Sequence, residues 1–207
     1  MAYFKRTLLY CFMLVGMLLD SCRFNAENKC TLLLQKANDN LYQFYISNDT
    51  LSLLMAKSYV DSIDCNSFKY KVFSIKITLF SLLNEYSAGI EYIKTLNTAD
   101  FDKEYQKNMY LKSFEAMYWE AQGDTVKSNN LYIEIIANIK SYLNNNADQE
   151  ALVDLFSIKS KIETKSEILK EIELLKETGK YDNDFLNALV EIQNDNIVES
   201  VAIPVKE

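Results

Sequence analysis

Apolar residues recur along this chain every three or four positions, interrupted by short polar runs, and that rhythm predicts helices. Residues 31–45 carry Leu32, Leu33, Leu34, Ala37, Leu41, Phe44 and their neighbours at helical spacing. Ser47-Asn48-Asp49 breaks the run, and Asp49 or Thr50 can cap a second helix reaching about Ile63. After Asp64-Cys65-Asn66-Ser67, helices are expected over 68–83 and 86–96, with Asn84-Glu85 as the turn between them. Asn97 to Asp100 separates these from a helix over 101–122. Gly123-Asp124 then reads as a stop and a start, glycine closing one helix and aspartate capping the next. That next helix is expected to reach Leu143, followed by one over 148–161. Thr164-Lys-Ser-Glu167 has the form of a capping box opening a helix that Gly179 closes, and a last helix covers 183–193. The tail from Asn194 has no period and contains Pro204, so it reads as loose.

The helices fall in pairs, and the pairs share a pattern. Leu82 to Leu96 aligns with Ala121 to Ile135: a helix ends, a two-residue turn follows, and a small residue (Gly89, Ser128) comes five positions after the turn begins. Large apolar residues lie four and seven beyond it, Ile93 and Leu96 in one copy, Tyr132 and Ile135 in the other. An earlier copy has Ala56 followed by Val60 and Ile63. A small side chain is expected where paired helices cross closely, with the larger groups filling the groove beside it.

This pattern resembles the tetratricopeptide repeat, a helix-turn-helix unit. Ala116 matches its small residue in the first helix, Gly123-Asp124 its turn, and Glu85-Tyr86 with Gly89-Ile90-Glu91-Tyr92 the start of its second helix. The resemblance covers residues 30–143, with a degenerate continuation toward 178. The usual proline between repeats is absent, and Ile77 stands where a small residue is expected. The expected fold is all-α: an array of about three to four helical hairpins plus a C-terminal capping helix, occupying residues 30–193. The competing reading is an irregular all-helical domain whose period is only amphipathicity.

The start of the chain follows a different rule. Lys5-Arg6 precede an apolar run from Thr7 to Leu19, which as a helix would be roughly 20 Å long, short of the ~30 Å hydrocarbon core. A basic start, a short apolar stretch and a small residue before the break make a secretory signal. Leu19-Asp20-Ser21-Cys22 resembles the lipobox of bacterial lipoproteins, although Asp20 is unusual there. The resemblance implies removal of residues 1–21, acylation of Cys22 with palmitate-type chains, and a tether over 22–29. Several chains anchor stably because each buried methylene adds ~0.8 kcal/mol. Arg23-Phe24-Asn25-Ala26-Glu27 lacks the acidic run of surface-exported lipoproteins of Bacteroides type. The expectation is therefore a periplasm-facing membrane of a Gram-negative, Bacteroides-like envelope.

Composition narrows the function. The chain after Ser21 has 20 basic and 28 acidic residues, net −8, and no long basic run, which argues against a nucleic-acid footprint. Its glycines are Gly89, Gly123 and Gly179 and its one proline is Pro204, so tight turns are few and helices long. There is no histidine, which removes Ser-His-Asp and Cys-His catalysis and the commonest metal ligand. Neither a phosphate loop nor a dinucleotide fingerprint occurs, and no metal or cofactor is expected. Glu167, Glu171, Glu173 and Glu177 among Lys165, Lys170 and Lys176 read as a solvated helix face, and Trp119 reads as core.

Cys30 is expected to open the first helix and Cys65 to follow the second. Antiparallel packing would bring the two together, so they are either a disulfide or two separate thiols. The repeat pattern places Lys71, Ser74, Thr78 and Ser81 on the inner face, with Tyr110, Ser113, Met117 and Glu120 from the next repeat. Such a strip suits an extended peptide or a partner's helix. The leading expectation is a non-enzymatic, lipid-anchored scaffold holding a protein or peptide partner. The alternative is an envelope lipoprotein with a small-ligand pocket between its helices.

Overall fold

A computed structural model describes residues 27–194; the expected leader, Cys22 and the tail from 195 lie outside the described residues. Among the described residues the chain is all-helical, with no strand. The helices are α1 (27–47), α2 (Thr50–Asp61), α3 (Lys69–Leu82), α4 (Tyr86–Thr95), α5 (Gln106–Ala121), α6 (Thr125–Asn145), α7 (Gln149–Lys159), α8 (Lys165–Thr178) and α9 (Asn183–Asn194). None of them is long and apolar enough to cross a membrane. Packing divides the chain into two compact units, one ending at Leu83 and the other starting at Asn84.

In the first unit α1 gives way to α2 through two residues. Asn48 takes the left-handed conformation (φ 54°) that short polar side chains tolerate, and its N–H reaches back to the Phe44 carbonyl at 2.7 Å. Asp49 then caps α2, its carboxylate accepting the Leu51 N–H at 3.0 Å. The core gathers Leu34, Ala37, Leu53, Ala56, Val60, Ile75 and Leu79. Ala37 and Ala56 are both fully buried within it. Lys76 pairs with Asp61 at 2.7 Å, and Lys57 lies over the Phe80 ring at 5.6 Å, so α2 and α3 are also tied along their polar edge.

Cys30 and Cys65 are joined by a disulfide, with Cα atoms 6.3 Å apart. It fastens the first turns of α1 to the connection that follows α2.

In the second unit α5 packs against both α4 and α6, α6 against α7, and α8 against α9. Its core centres on Tyr105, Met109, Ala116, Tyr132, Ile135 and Ile139, continued by Leu152, Leu155, Phe156, Ile168, Ile172, Leu186 and Leu189. Gly89 is buried against Phe114: a Cβ there would stand 2.4 Å from two ring carbons. The small residues at 56, 89 and 128 are all buried, as are Val60, Ile93, Tyr132 and Ile135 beyond them.

The turn between α5 and α6 follows from its two residues. Gly123 sits at φ 78°, its N–H bonding the Glu120 carbonyl at 2.9 Å, while the Asp124 N–H bonds that of Trp119 at 2.9 Å. This is the Schellman closure that a left-handed residue permits. Asp124 at once caps α6 through the Lys127 N–H at 3.1 Å. Thr164 and Glu167 form the expected capping box, and Gly179 closes α8 at φ 63°.

One boundary differs from expectation. Residues 101–105, read as the start of a helix, are turns and bends, and α5 begins at Gln106. Asn97 and Asp100 cap a short 3-10 turn over Thr98–Asp100, the Asp100 carboxylate accepting the Asn97 N–H at 2.7 Å. The Lys103 N–H donates to the Gln106 side chain at 3.1 Å. These side chains satisfy N–H groups locally and hold the stretch before α5 in turns.

Candidate functional site

The residues expected on an inner face fall in both units, and the two sets have different surroundings. On α3, Ser74 is buried, not open to a partner. Phe73, Ile75, Ile77 and Leu79 are buried with it, so Ser74 belongs to the interior of the unit. Lys71, Thr78 and Ser81 are half-buried, and the Thr78 hydroxyl is turned back onto the Ser74 carbonyl at 3.0 Å.

On α5, Tyr110, Ser113, Met117 and Glu120 share one face by their spacing of three and four residues. Tyr110 packs on the core and lies against the Phe101 ring, centroids 6.0 Å apart. Ser113 and Met117 are half-buried and Glu120 is exposed. Glu120 accepts the hydroxyl of the buried Ser128 at 3.0 Å. Burial, and then the Glu120 carboxylate, push the Tyr132 phenol far above its ordinary range. Tyr132 therefore stays a neutral donor at any ordinary pH.

Trp119, read as core, is half-buried beside this face. Lys127 from the first turn of α6 lies over its ring at 3.9 Å while pairing with Asp124 at 2.9 Å. The short turn brings the ammonium onto the indole, a favourable cation–π placement.

The densest polar cluster involves residues that sequence reasoning did not single out. The Tyr105 hydroxyl donates to Asp154 at 2.7 Å, and the Tyr142 hydroxyl to Asp148 at 3.2 Å. The two rings lie 5.0 Å apart. Lys103 joins the group, pairing with Asp148 at 3.4 Å and with Glu150. Burial raises the Asp154 carboxyl, the Tyr105 bond and Lys103 offsetting only part of that. Asp148 goes the other way: burial would raise it, but the Ala151 N–H, which it accepts as the cap of α7, and Lys103 together hold it low. Burial also drives Tyr105 far above its ordinary range, so it remains a donor. The cluster is an internal clasp between residues 103–105 and the start of α7. Its partners are 49 residues apart in the chain, and no local pattern marks Tyr105 or Asp154.

A second unforeseen group surrounds Lys159, which is buried and pairs with Glu163 at 2.8 Å and with Glu171. Glu171 also reaches Lys140 at 3.6 Å. The face of α8 read as solvated thus contributes one partner to an interior cation. Glu173 pairs along that face with Lys176 at 2.6 Å, as i,i+3 spacing permits.

Among the described residues, Cys30, Asp64 and Cys65 bring ligand atoms within 4.8 Å of one another. A soft cation would need the thiolates, and the bond between the two sulfurs uses them.

No family model, no curated protein and no solved structure matches the chain.

Proposed function

We propose that this chain is a lipid-anchored helical-repeat scaffold of the cell envelope, holding a protein or peptide partner through the α5 face and performing no chemistry on it. The observation that carries the repeat reading is the recurrent use of small residues. Ala56, Gly89 and Ser128 are each enclosed, and each is followed four positions on by an enclosed larger residue, Val60, Ile93 or Tyr132. This recurrence supports a tetratricopeptide-like reading, in which a small residue marks each close helix approach, as Gly89 of α4 does against Phe114 of α5. Arrays of this kind offer side chains of one helix in each pair to a partner. Ser113, Met117 and Glu120 supply a small polar group, a pliable thioether and a charge on one such helix.

Anchoring rests on Leu19-Asp20-Ser21-Cys22, and the Cys30–Cys65 bond supports an oxidising compartment. Mass spectrometry of the mature N-terminus should find Cys22 as the first residue, carrying acyl chains.

The partner is tested with a photo-crosslinking residue at Ser113 in cells. A discrete protein adduct is expected. It should be lost in a Ser113→Arg, Met117→Asp double variant whose helical circular dichroism is unchanged. An adduct that persists in that variant would move the docking surface off α5. A small molecule retained through purification, with no adduct, would replace the scaffold by a ligand carrier.

A further inference from the structure

Of the large apolar side chains that the first unit exposes, Leu32 and Tyr70 lie apart on α1 and α3, and six others surround one turn. Tyr42, Tyr45 and Ile46 near the end of α1 are spaced i, i+3, i+4, and so are Leu51, Leu54 and Met55 at the start of α2. Only the Asn48-Asp49 turn separates the two stripes, and the six side chains are 42–68% exposed. In the second unit the exposed large apolar residues are instead spread over α6, α7, α8 and α9. Scattered single exposures are ordinary; two stripes around one turn form a lobe that water solvates poorly.

We infer that this lobe rests in the headgroup region of the membrane to which the chain is tethered, with α1 lying close to the membrane plane. The inference builds on the proposed acylation of Cys22. One further observation favours a lipid surface as the occupant, and a second sets the orientation that contact with it requires.

The first is charge. Residues 27–83 hold six lysines and five carboxylates, whereas residues 84–194 hold 12 lysines and 20 carboxylates. The unit next to the anchor, which carries the lobe, is the one that an anionic membrane does not repel. Asp49 sits between the stripes, so the lobe suits a zwitterionic surface better than a densely anionic one. Its two tyrosines are of the type that favours the boundary between headgroups and acyl chains.

The second is reach. The five residues 22–26 span at most about 17 Å when fully extended. Ile46 lies about 29 Å along α1 from residue 27, at 1.5 Å per residue. If Cys22 and the lobe both touch one membrane, α1 can be inclined no more than about 35° from its plane. An upright α1 would pull one of them off the surface.

The test uses the mature acylated protein in vesicles of phosphatidylethanolamine with a minor share of phosphatidylglycerol, and brominated lipid as the quencher. Ile46→Trp and, as a control, the exposed Ile133→Trp on α6 are each made with Trp119→Phe. Emission from position 46 should shift to the blue and fall at least twofold with brominated lipid, while position 133 is unaffected. Equal quenching at both positions, or none at 46, would overturn the inference. A blue shift without quenching that grows with protein density would overturn it too, by showing a second copy on the lobe. Amide exchange in the unsubstituted protein gives an independent reading, since residues 42–55 should exchange more slowly on vesicles than in solution. If mass spectrometry finds no acyl chain, the anchoring reading fails by itself. The same probe on unanchored protein mixed with vesicles then decides the lobe.

Discussion

Gly89 and Phe114 illustrate how a single side chain sets a local limit. The ring occupies the volume that any Cβ at 89 would need. Gly89→Ala is expected to cost about 1–3 kcal/mol through overpacking, although alanine is intrinsically the better helix former. Chemical denaturation measures the loss, and Phe114→Leu in the same chain should recover part of it. Asp154 sets a limit of another kind. Its carboxyl is raised by burial, so its charged form weighs against folding at neutral pH. That penalty is present in full above the raised folded value and disappears below the ordinary carboxylate range, where both states are protonated. Asp154→Asn retains an acceptor for Tyr105 and should be more stable than the parent at pH 7. The advantage should shrink as pH falls through the raised value of Asp154; denaturation midpoints of the two proteins across pH 4–7 test this. Asp148 behaves oppositely, because its depressed carboxyl contributes stability that is lost on acidification.

At the scale of elements, helix ends were readable because their chemistry is local. Asp49, Asp124 and Thr164 each satisfy free N–H groups within three residues, and Gly123 and Gly179 adopt the positive φ that ends a helix. Thr164→Ala should therefore cost about 1 kcal/mol, seen as a lower unfolding midpoint and faster amide exchange in the first turn of α8. The start of α5 was not readable. Phe101 and Tyr105 have helical spacing, but the Asn97–Asp100 box and the Tyr105–Asp154 bond hold that stretch in turns. The latter bond depends on α7, which no window around residue 101 contains. The same difficulty applies to the expected inner face. Ser74 reads as a polar position on a helix, and only the enclosure of its neighbours reveals it as interior. Lys159 is the inverse case, a cation that looks solvated in the sequence and is interior because Glu163 and Glu171 meet it there.

For the whole molecule, composition gave the helical class directly: few glycines, a single proline and a recurrent helical period left little else. The division after Leu83 was not visible, since neither a proline-rich nor a glycine-rich linker marks it. The unequal charge of the two units predicts unequal behaviour toward salt. Raising ionic strength should stabilise residues 84–194, where carboxylates repel one another, more than residues 27–83. Amide exchange in each unit at low and high salt measures the difference. Cutting the Cys30–Cys65 bond by Cys65→Ser should destabilise the first unit by about 4 kcal/mol in the chain-entropy model, read from exchange in α1 and α2.

That crosslink also bears on when the polypeptide acquires its shape. A loss of this size is a large fraction of the 5–15 kcal/mol typical of a whole domain. If the chain is exported as proposed, it would lack the bond in a reducing cytosol and keep its first helices only loosely assembled, a form suited to threading through a translocation pore. Oxidation on the far side would then lock the first unit, so that the place of arrival decides the moment of folding.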